Sequence, residues 1–539
     1  MIGIKGTNRA TTQRHMRLMV PVFGLFSCVA GAQTAIRPAT MPKIGEVSPR
    51  YVSYNIEAVE VTGGHFWKPY GSEVDARLAG ASQQRPSPEQ APGIDPSLLQ
   101  YRAPIDLRSE RLRKLAAALA PAYIRVSGTW RNSTFFQNDS EPPMKIPPRG
   151  FNSVMTRTQW KDVVDFANLT GAEIVASVAT STGTRDSDGV WTSEQAKSFF
   201  DYTKSIGGHI AATEFMNEPT FAVMGGAPRN YDATAFAKDV KIFSDFLRRE
   251  SPGTIFLGPG SIGEGVPMVP GFSAGPAMLK TEDLLKATGP VFDGFSYHFY
   301  ETVSRRCIAA LGPKAGLAPQ DALKREWLDR NTIVEDFYAK LRDAYLPGKL
   351  IWLTETGEGA CGGDKFAAQF VDSFRYLDQL GTLARKGVQT VMYNTLASSD
   401  YGLLDEDTLE PRPNYWAALL WSSTMGVRVL DPGLPSIENL QVFAQCSKET
   451  RGGVTLVVLN MDATAEHTFT LPVSGKLYSL SAPDLFGKSV LLNGVNLRVN
   501  ANGSVPPIKG RPIKAGELLI SPMTINFVTL SGAKNASCM

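Results

Sequence analysis

Apolar positions along the chain fall into two alternating patterns. Short β-branched or apolar runs occur near Tyr51 to Ile56, Tyr123 to Val126, Glu173 to Val178, Ile210 to Phe215, Thr254 to Leu257, Gly294 to Tyr297, Leu350 to Thr354 and Val388 to Tyr393, and each reads as a strand. Between them the spacing becomes helical. Trp160, Val163, Val164 and Ala167 recur at i, i+3, i+4 and i+7, and Phe236, Val240, Phe243 and Leu247 share one face. A helix carrying Trp416, Leu419 and Leu420 follows the eighth run. Regular alternation of strand and helix predicts a parallel sheet, and eight strands are the number that closes a (β/α)8 TIM barrel. After about Val429 the pattern shortens to strand-like segments such as Val454 to Leu459, Thr468 to Leu471, Leu477 to Leu480 and Thr524 to Leu530, with turn signals at Gly452–Gly453 and Asn493–Gly494. The expected fold is α/β, a barrel over 51–428 followed by a C-terminal β-sandwich over 429–539, with 33–50 a candidate to pack on the sandwich. The Pro-, Ser- and Gln-rich stretch from Gly71 to Asp106 reads as an insertion after the first strand that forms a loop over the barrel mouth.

The N-terminus reads differently. Arg14 and Arg17 precede an apolar run, Leu18 to Val29, that ends at the small residues Ala30, Gly31 and Ala32. This is the form of an export signal over 1–32, predicting a secreted or periplasmic protein cleaved near Ala32. The run is well short of the ~20 residues a membrane span needs, and no later stretch approaches that length. Removal of the signal leaves Cys307, Cys361, Cys446 and Cys538, an even number in an oxidising compartment. Cys307 follows the sixth strand and Cys361 the seventh, so neighbouring strand ends would bring them together. Cys446 and Cys538 would then pair in the sandwich.

Composition narrows the function. With 55 Lys and Arg against 52 Asp and Glu, the net charge of +3 offers no basic field for nucleic acid. The cysteines form no CxxC pair, and His15, His65, His209, His298 and His467 show no ligand spacing, so neither a metal nor a cofactor is expected. A monomer is expected. In a barrel, chemistry belongs to the C-terminal ends of the strands. The fourth strand leads into Asn217, Glu218 and Pro219, and the seventh ends in Glu355. Two carboxylates on opposite walls of one mouth are what a retaining glycosidase needs, one to protonate the leaving oxygen and one to attack the anomeric carbon. Glu358, in the following Gly-rich loop, competes with Glu355 for the second role. Gly258, Gly260 and Gly263 form a lone GxGxxG, but Pro267 and Pro270 stand where a dinucleotide site needs a helix. Asn132, Asn138, Asn168, Asn502 and Asn535 begin glycosylation sequons.

Asn217 to Pro219 together with Trp352 to Thr356 resemble the barrel glycosidases of clan A, and within them glycoside hydrolase family 79, the family of heparanase and microbial β-glucuronidases. Ser53 to Glu57, Ala120 to Thr129, the pair His298 and Tyr300, the pair Gly362 and Gly363, Tyr401 to Leu404 and Asn414 to Trp416 carry the same resemblance. It implies that Glu218 is the general acid/base and Glu355 the nucleophile. It further implies that Asn217 binds the sugar 2-hydroxyl, that Tyr300 hydrogen-bonds the nucleophile beside His298, and that Glu57 and Thr129 meet ring hydroxyls. Gly362, Gly363 and Tyr401 would hold a glucuronate carboxylate, although Asp364 places a negative charge next to that loop. The expected activity is exo-cleavage of terminal β-linked glucuronic acid from glycans or glycoconjugates. An endo-acting, heparanase-like enzyme on glycosaminoglycans and a non-catalytic carbohydrate-binding protein are the alternatives.

Overall fold

A computed structural model of the chain describes residues 34–81, 95–269, 278–308 and 316–539. The export signal over 1–32 lies outside them. Among the described residues no helix is long and apolar enough to cross a membrane.

Eight parallel strands close a barrel. They are β1 (Val52–Glu57), β2 (Ala122–Ser127), β3 (Ala172–Ser177), β4 (Ile210–Glu214), β5 (Ile255–Ser261), β6 (Gly294–Val303), β7 (Leu350–Ala360) and β8 (Val391–Tyr393). Closure comes where β8 pairs with β1, Val391 opposite Val52 and Tyr393 opposite Tyr54. The helices between them follow the apolar spacing. The helix Arg157–Thr170 starts at a capping box between Thr156 and Gln159, stops at Gly171 in the left-handed conformation, and buries Trp160, Val163, Val164 and Ala167 against the barrel.

Two strands run further than their apolar segments. β6 and β7 stay paired from Gly294 opposite Leu350 to Val303 opposite Ala360, with a register shift between Tyr297 and His298. Polar and glycine residues in the extensions read as loop by hydrophobicity. Each strand nevertheless supplies the other's backbone partners, so the pair stands out from the rim as a two-stranded wall. The insertion after β1 also holds more structure than a loop. Gly64–Trp67 pairs antiparallel with Leu99–Arg102, and Ser72–Ala81 is a helix whose Val74 and Leu78 pack on Leu98.

The C-terminal strands form two antiparallel sheets around a core that includes Leu430, Val454, Leu456, Leu471, Leu477 and Val528. The larger sheet begins at Met425, ahead of the expected boundary at 429. Both sheets also take a strand from the N-terminal segment: Thr34–Ala35 pairs with His467–Leu471, and Lys43–Glu46 pairs with Met425–Leu430. The sandwich packs directly on the helix Phe370–Arg385, where the Phe443 ring leaves no room for a Cβ at Gly381. Disulfides join Cys307 to Cys361, with Cα atoms 6.4 Å apart, and Cys446 to Cys538, at 5.3 Å.

Candidate active site

The two glutamates reach one point from opposite walls. After β4 the chain turns sharply, and Glu218 takes φ 50° and ψ 63°, a left-handed conformation, just before the short turn Pro219–Phe221. Glu355 lies within β7. Tyr300 donates its hydroxyl to Glu355 Oε1 at 2.8 Å, and Arg125 donates to Oε2 at 2.8 Å. An oxygen of Glu218, an oxygen of Glu355 and a ring nitrogen of His298 all lie within 4.8 Å of one another. These atoms have the spacing of metal ligands, but the Arg125 guanidinium already bonds Glu355 and His298, so a second cation would face a fixed positive charge.

Arg125 organises this end of the barrel, and the sequence reading did not single it out. It is 1% exposed on β2, donates to Glu214, Glu355 and the Asn217 side chain at 2.8–2.9 Å, and lies 3.1 Å from His298 Nε2. A signal was present, since one arginine interrupts the apolar strand Tyr123 to Val126 at an inward position. Arg125 also settles a tautomer. A guanidinium only donates, so His298 Nε2 is the acceptor and the ring proton sits on Nδ1, 3.1 Å from Glu218 Oε1. Burial, with Arg125 beside it, lowers the His298 pKa to about 4 and keeps the ring neutral. Burial also raises Glu218 to about 7. Burial alone would raise Glu214 too, but Arg125 outweighs it and holds that carboxyl below its ordinary value.

The remaining expected residues surround this centre. Glu57, at the end of β1, accepts from Asn394 Nδ2 at 3.1 Å, and burial, then the charge of Glu355, push its pKa well up. Its carboxyl lies against Gly128, where φ is 89° and a Cβ would overlap Glu57 Oε2, so glycine is required there twice over. Thr129 follows, half-buried at the start of the turn after β2. Asn394 also donates to the hydroxyls of Tyr300 and Tyr401, at 2.9 and 3.3 Å, which ties β1, β6 and β8 together. Phe66, Trp67, Tyr300, Tyr401 and Trp130 share one apolar cluster around these groups.

The Gly362–Gly363 loop is more committed than expected. Gly363 N–H donates to Gly359 C=O at 3.0 Å, and Gly362 C=O accepts from Ser399, Asp400 and Tyr401. Asp364 turns back on its own loop: its carboxylate accepts Lys365 N–H at 2.9 Å and its N–H donates to Glu358 at 2.7 Å. Glu358 is therefore not a loop residue beside Glu355. It lies within β7, fully buried, with Asp372 and Arg375 of the helix Phe370–Arg385 near enough to act on its charge. Another residue absent from the sequence reading of the site is Arg306, which donates to Gly363 C=O at 2.6 Å, to Lys68 C=O and to Asp400.

A carboxyl near neutral pKa facing an ion-paired carboxylate across one barrel mouth can deliver a proton on one side and a nucleophile on the other. The barrel and these residues at its mouth resemble the arrangement of the clan A glycosidases. Residues 92–260 match the family described as glycosyl hydrolase family 79, N-terminal domain. The chain is 27% identical to heparanase of Mus musculus over 506 residues, covering 83% of this chain and 89% of that protein. It is 25% identical to heparanase-like protein 1 of Arabidopsis thaliana over 495 residues, covering 80% and 86%. Its fold is similar to that of the GH51 arabinofuranosidase from Xanthomonas axonopodis pv. citri, with a TM-score of 0.56 at 15% identity over 90% of this chain and 97% of that one. Residues 92–260 are thus similar to glycosyl hydrolase family 79, and most of the chain is similar to heparanase and heparanase-like proteins.

Proposed function

We propose that this glycosidase is an exported, retaining, exo-acting β-glucuronidase. The observation that carries the mechanism is the approach of Glu218 and Glu355 oxygens to within 4.8 Å. Retaining enzymes hold their carboxyls about 5–5.5 Å apart, whereas inverting ones leave roughly 6.5–9.5 Å for a water. Glu218, protonated up to a pKa of about 7, delivers its proton to the glycosidic oxygen. The Nδ1–H of His298 occupies Glu218 Oε1, which leaves Oε2 for the acid's proton. Glu355, held by Tyr300 and Arg125, attacks the anomeric carbon and forms a glycosyl-enzyme. Glu218 then acts as base on a water that releases the sugar. Asn217 Oδ1 accepts from Arg125, so its Nδ2 is the group available to the 2-hydroxyl.

For the uronate, Gly362 N–H and the Tyr401 hydroxyl are the donors on which the reading rests, since Gly363 N–H is already used. Exo action is supported by closure, because Glu57, Tyr300 and Tyr401 are nearly fully buried and the two tyrosines share a cluster with Phe66 and Trp67. The heparanase-like alternative, endo action on a glycosaminoglycan, also fits the similarity to heparanase. A defined oligosaccharide separates the two: single glucuronate appears first under exo action and internal fragments under endo action. A 2-fluoro glucuronide should label Glu355. Labelling of Glu358, or inversion at the anomeric centre by NMR, would overturn the mechanism.

A further inference from the structure

We propose that Asn132 is a positioning residue that sets the proton-delivering geometry of Glu218; the inference rests on reading Glu218 as the acid. A non-glycine residue in the left-handed region persists only where its surroundings over-determine it; at Glu218 the turn that follows holds its C=O through Phe221 N–H at 2.9 Å, and a second determinant lies one residue earlier. The Asn132 side chain pairs with the Asn217 backbone as a neighbouring strand would. Its Oδ1 accepts Asn217 N–H at 2.9 Å, and its Nδ2 donates to Asn217 C=O at 2.9 Å. That carbonyl belongs to the peptide joining Asn217 to Glu218. Holding it fixes the peptide plane about which the Glu218 φ of 50° is defined.

Asn132 is itself held. It is 1% exposed, its C=O accepts Thr180 and Ser181 N–H at 2.8 and 2.9 Å, and its amide packs against Gly225 where a Cβ would collide with it. The other bonds to Asn217, from Arg125 and Ser127, reach only its side chain. A primary amide is needed because one group must offer an acceptor and a donor at this spacing. Aspartate keeps the acceptor but sets an oxygen against Asn217 C=O, and alanine removes both. Because the lock acts on the β4 turn and not on β7, its loss falls on proton transfer and spares Glu355. Asn132 also begins a sequon, and this use of its amide leaves none for a glycan.

The test is a series of aryl β-glucuronides from phenol to 2,4-dinitrophenol leaving groups. Asn132→Ala and Asn132→Asp should lose roughly tenfold or more in kcat/KM on the phenyl substrate and only a few-fold on the dinitrophenyl one, where acid assistance matters least. The alkaline limb of the pH profile should move as well. A uniform loss across the series with an unmoved limb would overturn the proposal. The 2-fluoro dinitrophenyl glucuronide should still label Glu355 in both variants, and failure to label Glu355 in the milder Asn132→Asp variant would mean that the whole site is lost and the proposal with it. Glu218→Gln on the same series separates the two inferences. If Glu218→Gln has no leaving-group dependence, the acid assignment fails; if it has one and the Asn132 variants do not, the positioning role fails.

Discussion

Glu218 and Glu355 are the same side chain placed in different company. Glu218 has a neutral imidazole and low-dielectric surroundings, and burial raises it to about 7. Glu355 has a guanidinium on one oxygen and a phenol on the other. An acid must be protonated to act, so kcat/KM on an aryl glucuronide should fall as pH rises through about 7. That alkaline limb should vanish in Glu218→Gln, which azide should rescue on substrates with good leaving groups. His298 does not supply the limb, because burial lowers it to about 4 and it stays neutral throughout this range. An unchanged limb in Glu218→Gln would assign the titration elsewhere. Tyr401→Phe is a milder test of the uronate site. Removing one neutral donor to a carboxylate should cost about 1.5–3 kcal/mol in transition-state terms on the glucuronide, with little change on the corresponding glucoside. A wild-type enzyme equally fast on both sugars would refute the uronate site and leave the glycosidase assignment intact.

The wall formed by β6 and β7 carries His298, Tyr300 and Glu355, and the Cys307–Cys361 disulfide ties its far end. The bridge encloses a sequence separation of 54 residues, and closing such a loop typically contributes about 2–4 kcal/mol. Replacing both cysteines by serine should lower the melting temperature and, since Cys361 adjoins Gly362, raise KM on the glucuronide more than it lowers kcat. Non-reducing peptide mapping that found both thiols free would remove the premise. At this scale the sequence was informative wherever burial writes a period into the chain. Trp160 to Ala167 and Phe236 to Leu247 specify helices, and position just after an apolar run singles out Glu218 and Glu355, although β7 itself continues past Glu355. It was silent where polar residues take the place of apolar ones. The ends of β6 and β7 could not be read because their stability comes from pairing with each other, a partner absent from any local window. Arg125, Asn132 and Asn394 escaped for a related reason: their importance lies in hydrogen bonds to residues far along the chain, and a lone buried Arg or Asn carries no spacing rule.

Taken as a whole, the molecule holds several carboxyls in dry surroundings. Burial raises Glu60 and Glu301 to about 8 and Asp378 to about 6, from ordinary values of 4.5 and 3.8. A carboxyl whose folded pKa is raised binds its proton more tightly in the native state. Its contribution is complete below the unfolded value and is lost as pH rises through the folded one. His298, lowered from 6.5 to about 4, acts in the opposite sense, its contribution being lost as pH falls through that window. With these carboxyls raised, and Glu57 and Glu218 with them, against one lowered imidazole, thermal stability should be greater near pH 5 than near pH 8. Calorimetry that found the protein more stable at pH 8 would contradict this. The two described N-terminal strands have a consequence in time. Lys43–Glu46 leaves the ribosome early, but its partner Met425–Leu430 is made roughly 380 residues later, some 20–80 s at about 5–20 residues per second. The edge of the larger sheet is therefore completed only after most of the chain has been synthesised, and the strand Lys43–Glu46 lacks its native partner until then.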